Sequence, residues 1–375
     1  MTSLLWPDSL RVAATTLVTA NGALDMFFTS GGSTVGNFSV NLNGGVLAVD
    51  NIQESSYGSQ SGTFNFNGGL LRTLSNDVGG GFFPASPAQL TAVVNAGGAV
   101  IDANGFNITV ANVLKHGTGS PDGGLTKLGA GYLTLSAANT YTGNTTISNG
   151  VLALSGSGAI VGTNIIVNGG ATFDVSALGS WTLATGQTLS NKTSTAQLGG
   201  SIGTAAGTVA LNYAAGTPAF NVSNGVFTVS STTVFNVNVT GAALGLGSYK
   251  LISTNLDGSG TITVADSLPT VVTVGGAGLA GGTAPSLQIN NGELYLAVVS
   301  AGPSGPGYLT NSITGNVLSL SWPAGQGWTL QVQTNSLSTG LGTNWVSLPG
   351  SSSQSSTNIT IDPTLPTEFF RLVAP

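Results

Sequence analysis

The chain has 375 residues, of which only seven are Lys or Arg and thirteen Asp or Glu, giving a formal charge of −6, a single histidine and no cysteine. The sparse, dispersed basic residues exclude a nucleic-acid-binding surface, and the missing thiols exclude a disulfide framework and thiolate metal sites. Mean hydropathy is positive at +0.32 with 41% hydrophobic residues, so the chain has the apolar content to fold despite a charged fraction of 5%, about a fifth of the usual share. A surface hydrated by hydroxyls and amides rather than ions is weakly protected against self-association.

In chain order, the opening Met1-Thr-Ser-Leu-Leu-Trp-Pro has no basic region and no long apolar run, so no signal peptide is recognisable in it. No run of 18 apolar residues occurs, and no membrane-spanning helix is expected. Residues 1–30, with apolar pieces Leu10–Val18 and Leu24–Phe28, are expected to cap or dock an open sheet end. From there to residue 299 an Asn-Gly corner followed by alternating apolar residues recurs. It starts at Asn43, Asn67, Asn149, Asn168, Asn224 and Asn291, with a variant at Asn95. Asn and Gly accept the positive φ of tight corners. The spacings are irregular and near 20, which suits a β-solenoid with variable loops better than propeller blades. Antiparallel hairpins also use Asn-Gly and stay open for parts of the chain.

The most regular stretch is Gly124–Leu154, with apolar-alternating runs at Tyr132–Leu135, Thr145–Ile147 and Val151–Leu154 set between Gly and Asn corners. Its rhythm is that of one solenoid coil. Residues 300–307, Ser-Ala-Gly-Pro-Ser-Gly-Pro-Gly, form a linker by composition. Beyond it, Val317–Trp322, Trp328–Gln333, Asn344–Leu348, Asn358–Ile361 and Phe369–Val373 are expected to be five strands of a small antiparallel sandwich at 308–375, loosely similar to a fibronectin type III domain.

Catalytic signals are weak. His116 is the only histidine and sits in a Gly-rich loop, so neither a His-based metal site nor a Ser-His-Asp triad is expected. Glycoside hydrolysis needs two carboxyls about 5–9.5 Å apart. Asp50 and Glu54 are the closest acidic pair in sequence, while Asp122, Asp174, Asp257 and Asp266 stand alone. Gly276-Ala-Gly-Leu-Ala-Gly281 has a nucleotide-loop spacing but opens no helix. Of the aromatics, Trp322, Trp328 and Trp345 are the candidates for stacking on a glycan, with a sandwich core as their ordinary home. No catalytic, cofactor-binding or metal-binding residue is assigned, and no cofactor is expected.

Leu125-Thr-Lys-Leu-Gly-Ala-Gly131, Leu133-Thr-Leu-Ser136, Asn139-Thr-Tyr-Thr-Gly143 and Asn149-Gly-Val-Leu152 closely resemble the autotransporter-associated β-strand repeat of bacterial surface-protein passenger regions. The resemblance implies a secreted, right-handed parallel β-helix at 31–299, acting as a stalk, adhesin or fibre with no catalytic residues. The family's C-terminal membrane barrel is not found in these residues. The Leu-Ser-Trp-Pro and Phe-Phe-Arg-Leu pieces of the last module resemble C-terminal modules of exported proteins from bacteria such as Verrucomicrobia. The resulting expectation is an all-β, extracellular, non-enzymatic structural or adhesive protein whose partner is itself, stacked head to tail, or a glycan. The alternative is a secreted β-helix that binds or degrades polysaccharide.

Overall fold

The computed structural model describes residues 9–12, 17–25, 38–53, 61–77, 81–85, 89–255, 259–301, 308–324, 327–364 and 366–374. Residues 302–307 of the expected linker, and 1–8, 13–16 and 26–30 of the N-terminal segment, lie outside the described residues. No α-helix occurs among the described residues, and the only helical turns are the 3-10 turns Ser176–Leu178 and Ser351–Ser353. The chain divides into two compact units, the first comprising residues 1–244, 248–278 and 286–297, the second 245–247, 279–285 and 298–375.

The first unit is a parallel β-helix. Its longest sheet has eleven strands in chain order, from Leu17–Asp25 to Val272–Gly276, and a second has nine, ending on the strands Glu293–Ser300 and Thr283–Asn290. A third face is built from a five-stranded sheet between Ser9–Val12 and Leu114–His116, and later from a four-stranded one between Trp181–Thr182 and Gly260–Val264. The two described N-terminal strands belong to this ladder: Ser9–Val12 pairs with Phe38–Leu42, and Leu17–Asp25 with Val46–Gln53, both parallel. Each strand points alternate side chains inward, as in the buried Leu152 and Leu154 between half-buried Val151 and Ala153. Each fully buried Leu, Ile, Val or Phe stabilises the fold by about 1.5–3 kcal/mol, and stacking them rung on rung makes one continuous apolar column.

The register corrects the sequence reading of Gly124–Leu154. Thr145–Ile147 stacks on Leu125–Leu128, and Val151–Leu154 stacks on Tyr132–Leu135, so the stretch is two successive rungs rather than one coil. The strand Leu125–Leu128 escaped recognition because Lys127 occupies an inward position where alternation demands an apolar residue. Thr126 faces Thr146, and Thr146 faces Ile166, so a rung here is 20 residues long. Between the third-face sheets no strand forms. Tyr141, fully buried, fills that place, its hydroxyl 2.7 Å from Thr145 Oγ1.

The Asn-Gly corners also prove to be of several kinds. Asn43, Asn67 and Asn95 precede strands of the eleven-stranded sheet, Asn149 and Asn168 follow them, and Asn224 lies between the nine- and four-stranded sheets. Their spacing therefore did not measure one repeat. Asn291-Gly292 is a hairpin turn with φ of 50° and 74°, joining two neighbouring strands. Two residues can connect only antiparallel neighbours, and this pair of positive φ values is what an Asn-Gly hairpin turn uses. Polar rows run along the outside. Asn65 donates to Asn41 (3.0 Å), Asn164 to Asn144 (2.8 Å), and Asn221 to both Gln197 and Asn255 (2.8 Å each). Such amide ladders satisfy side chains between stacked strands without charge.

The second unit contains two three-stranded antiparallel sheets, one ordered Thr310–Thr314, Val317–Ser321, Ser356–Thr360, the other Val346–Ser347, Thr329–Asn335, Thr367–Val373. Buried Leu320, Trp322, Trp328 and Leu330 form its core. The sequence reading omitted Thr310–Thr314, whose side chains are all exposed and carry no apolar alternation. The two-residue Gly315-Asn316 connection was the signal that marked its hairpin.

Candidate functional site

The sole histidine lies at a corner that joins two rungs. Asp122, its side chain fully buried, sits 2.7 Å from His116 Nδ1 and accepts backbone N–H bonds from Gly124 (2.9 Å), Thr142 (2.9 Å) and Gly143 (2.8 Å). Burial pushes the Asp122 carboxyl up, but the His116 and backbone hydrogen bonds outweigh it and hold the group below its ordinary range. Thr142 Oγ1 lies 3.2 Å from the same ring nitrogen, His116 Nδ1. A hydroxyl-imidazole-carboxylate relay needs the nucleophile on one nitrogen and the acid on the other, so this trio has no relay geometry. It is a corner clamp. Because the folded pKa of Asp122 is depressed, its stabilisation is present above the unfolded value of about 3.9 and is lost as pH falls through the folded one. Asp122→Asn is expected to lower the melting temperature at neutral pH and to flatten its decline between neutral pH and acid. Parallel wild-type and variant melting curves over that range would refute the clamp.

Lys127 is a second buried polar group on the same two rungs. It has 0% exposure, and its Nζ donates to the carbonyls of Leu128 (2.9 Å), Gly129 (2.7 Å) and Asn149 (3.2 Å). Burial pushes its pKa down to about 8, opposed by the Asp102 carboxylate. Asp102 is itself paired with Arg72 Nε at 2.8 Å. Encased by backbone, Lys127 has no access to a substrate. It ties the turn after Tyr132's preceding strand to the corner of the next rung.

Two of the remaining acidic candidates bond at turns, while Asp50 lies within the strand Val46–Gln53. Asp174 accepts the N–H of Ser176, and Asp266 accepts from the N–H and Oγ of Ser231. Asp257 and Glu54 lie outside the described residues. No group of three His, Cys, Asp or Glu placed to hold a metal ion exists among the described residues. Gly276 ends a strand rather than opening a helix, so the GxGxxG spacing builds no phosphate cradle. A shallow depression on the eleven-stranded sheet lies over Ala210, Asn212, Asn236, Asn238, Thr273 and Gly275, with amides and a hydroxyl but no charged group.

The three tryptophans of the second unit separate cleanly. Trp322 and Trp328 are core residues at 6% and 7% exposure. Trp345 is only half-buried, with the Arg371 guanidinium carbon 4.3 Å from its ring centroid. Arg371 donates from Nε (2.9 Å) and Nη2 (2.7 Å) to Gln331 Oε1, and Gln331 Nε2 donates to Ser347 Oγ (3.1 Å). Gln331 faces Ser347 on one side and Arg371 on the other in the strand register, so one row crosses the sheet. Sequence reasoning named Trp345 but missed Arg371 and Gln331. They lie 40 residues apart, and only antiparallel pairing makes them neighbours.

The passenger-associated-transport-repeat family model matches residues 125–154. The matched segment is the two-rung stretch that carries Lys127, Tyr141 and the strands around them, so the expected resemblance to passenger repeats holds for these residues. No curated protein and no solved structure matches the chain. No helix among the described residues is long and apolar enough to cross a membrane.

Proposed function

We propose that the chain is a non-enzymatic structural or adhesive element of a bacterial exterior, a β-solenoid stalk whose copies stack head to tail. The observation that carries this reading is the use of its buried polar groups. Lys127 and Tyr141, within the residues similar to passenger-associated transport repeats, and Asp122, which precedes them and pairs with the exposed His116, all bond rung to rung or within a corner. Export to the cell surface or medium follows from that similarity. Head-to-tail stacking is supported by the ends of the eleven-stranded sheet. Leu17–Asp25 and Val272–Gly276 each pair on one side only among the described residues, and an unpaired edge is a template for a further strand. Degradation of polysaccharide is not favoured, because Asp102 and Glu293 are held in ion pairs and Asp122, Asp174, Asp266 and Asp362 bond at turns.

Negative-stain electron microscopy of the purified chain at micromolar concentration tests the assembly, with uniform filaments expected. Separate particles at every concentration would refute stacking while leaving the stalk intact. Release of reducing ends or unsaturated uronates from a polysaccharide panel, abolished by a single carboxylate substitution, would overturn the non-enzymatic reading altogether.

A further inference from the structure

We propose that the outer face of the C-terminal module binds the carboxylate of an acidic polysaccharide, with Arg371 as the direct contact and Trp345 and Gln331 as positioning residues. Arg371 is exposed, and it forms no ion pair among the described residues, whose pairs are Arg72–Asp102, His116–Asp122 and Lys250–Glu293. Its Nε and Nη2 are held by Gln331 Oε1, and its guanidinium carbon lies over the Trp345 indole. The Nη1 end has no acceptor among the described residues. A guanidinium so held loses little freedom on binding and presents a planar fork that matches a carboxylate bidentately. Stacking on an indole also lowers the cost of stripping water from the cation.

The surroundings point to a sugar acid rather than a simple anion. Gln331 and Ser347 lie in the same cross-strand row, so an amide and a hydroxyl stand beside the fork where ring hydroxyls of a uronate would fall. The surface is a sheet face, which suits an extended chain laid across it. The whole protein carries a charge of −6 and only seven basic residues, so a polyanion gains no long-range attraction. Binding must come from this short-range contact. The proposal does not depend on the chain being a stalk or on its stacking.

Affinity electrophoresis of the full chain through gels containing polygalacturonate, dextran or dextran sulfate tests it. Retardation by polygalacturonate alone is expected. Arg371→Gln should weaken it at least about tenfold, the scale of one charge-assisted pair. Arg371→Lys should lose several-fold, because an ammonium keeps the charge but not the fork. Trp345→Phe should weaken binding less than Arg371→Gln. Melting curves of the variants check that the module stays folded. The proposal is overturned by no retardation in polygalacturonate, by equal retardation in dextran sulfate, or by a folded Arg371→Gln variant that binds as wild type. It is also overturned if Arg371→Gln abolishes only an association between copies of the chain, since the carboxylate would then be a protein's own.

Discussion

Gly124→Ala is expected to lower the unfolding free energy by about 2–5 kcal/mol, the sum of a left-handed backbone penalty and an overpacking penalty. Gly124 has φ +70°, and a Cβ built there would lie 2.0 Å from the carbonyl oxygen of Asn144 in the next rung. That oxygen accepts the N–H of Leu125 at 2.9 Å, so moving it away breaks the ladder at the first residue of a strand. Gly186 supplies the control. Its φ is +80° but a Cβ there meets nothing within 4 Å, so Gly186→Ala should cost only about 1–2 kcal/mol of backbone strain. Urea denaturation of both variants decides the matter. Equal losses would mean that the rungs have slack at Gly124 and that close stacking is not what the corner glycine serves.

Lys127→Met is expected to change how stability responds to pH. The folded pKa, about 8, lies below the model value of 10.5 for the free group. Between these values the unfolded chain binds more protons, so raising the pH favours the folded state. At about 1.4 kcal/mol per pKa unit, wild type should gain about 3 kcal/mol relative to the methionine variant between pH 8 and 10.5. The comparison removes the contribution of Tyr141, whose hydroxyl pKa burial pushes up, so that it ionises first in the unfolded chain and by itself lowers stability as the pH rises. Denaturation midpoints of wild type and variant, measured in parallel from about pH 7 to 10.5, give the difference. A difference that does not vary with pH would place the Lys127 ammonium in water. The variant also leaves the carbonyls of Leu128, Gly129 and Asn149 without their side-chain donor, each an uncompensated buried acceptor.

Both residues show where sequence reading stopped. Gly124 and Gly143 were visible as corner glycines, but the reason for them, contact with the backbone one rung away, depends on a partner 20 residues distant. Lys127 interrupted an otherwise apolar alternation and concealed a strand, because a cation at an inward position is ordinarily evidence against burial. In the second unit the polar strand Thr310–Thr314 had no hydrophobic signature, whereas Trp322 and Trp328 marked their core correctly.

The sequence by itself determined that this chain is all β, that short alternating strands meet at Asn and Gly corners, and that a different texture begins after residue 300. Those properties are local: side-chain alternation has period two, and only Gly and Asn accept the backbone angles of the corners without strain. It also limited the chemistry, since one histidine and scattered carboxylates leave few ways to assemble a reactive site. Which corner stacks on which, the enclosure of Lys127 by three carbonyls, the clamp between Asp122 and the following rung, and the resting of Arg371 on Trp345 were decided only by tertiary structure. Each joins residues between rungs or across a sheet, and strand pairing alone brings such residues within hydrogen-bond reach.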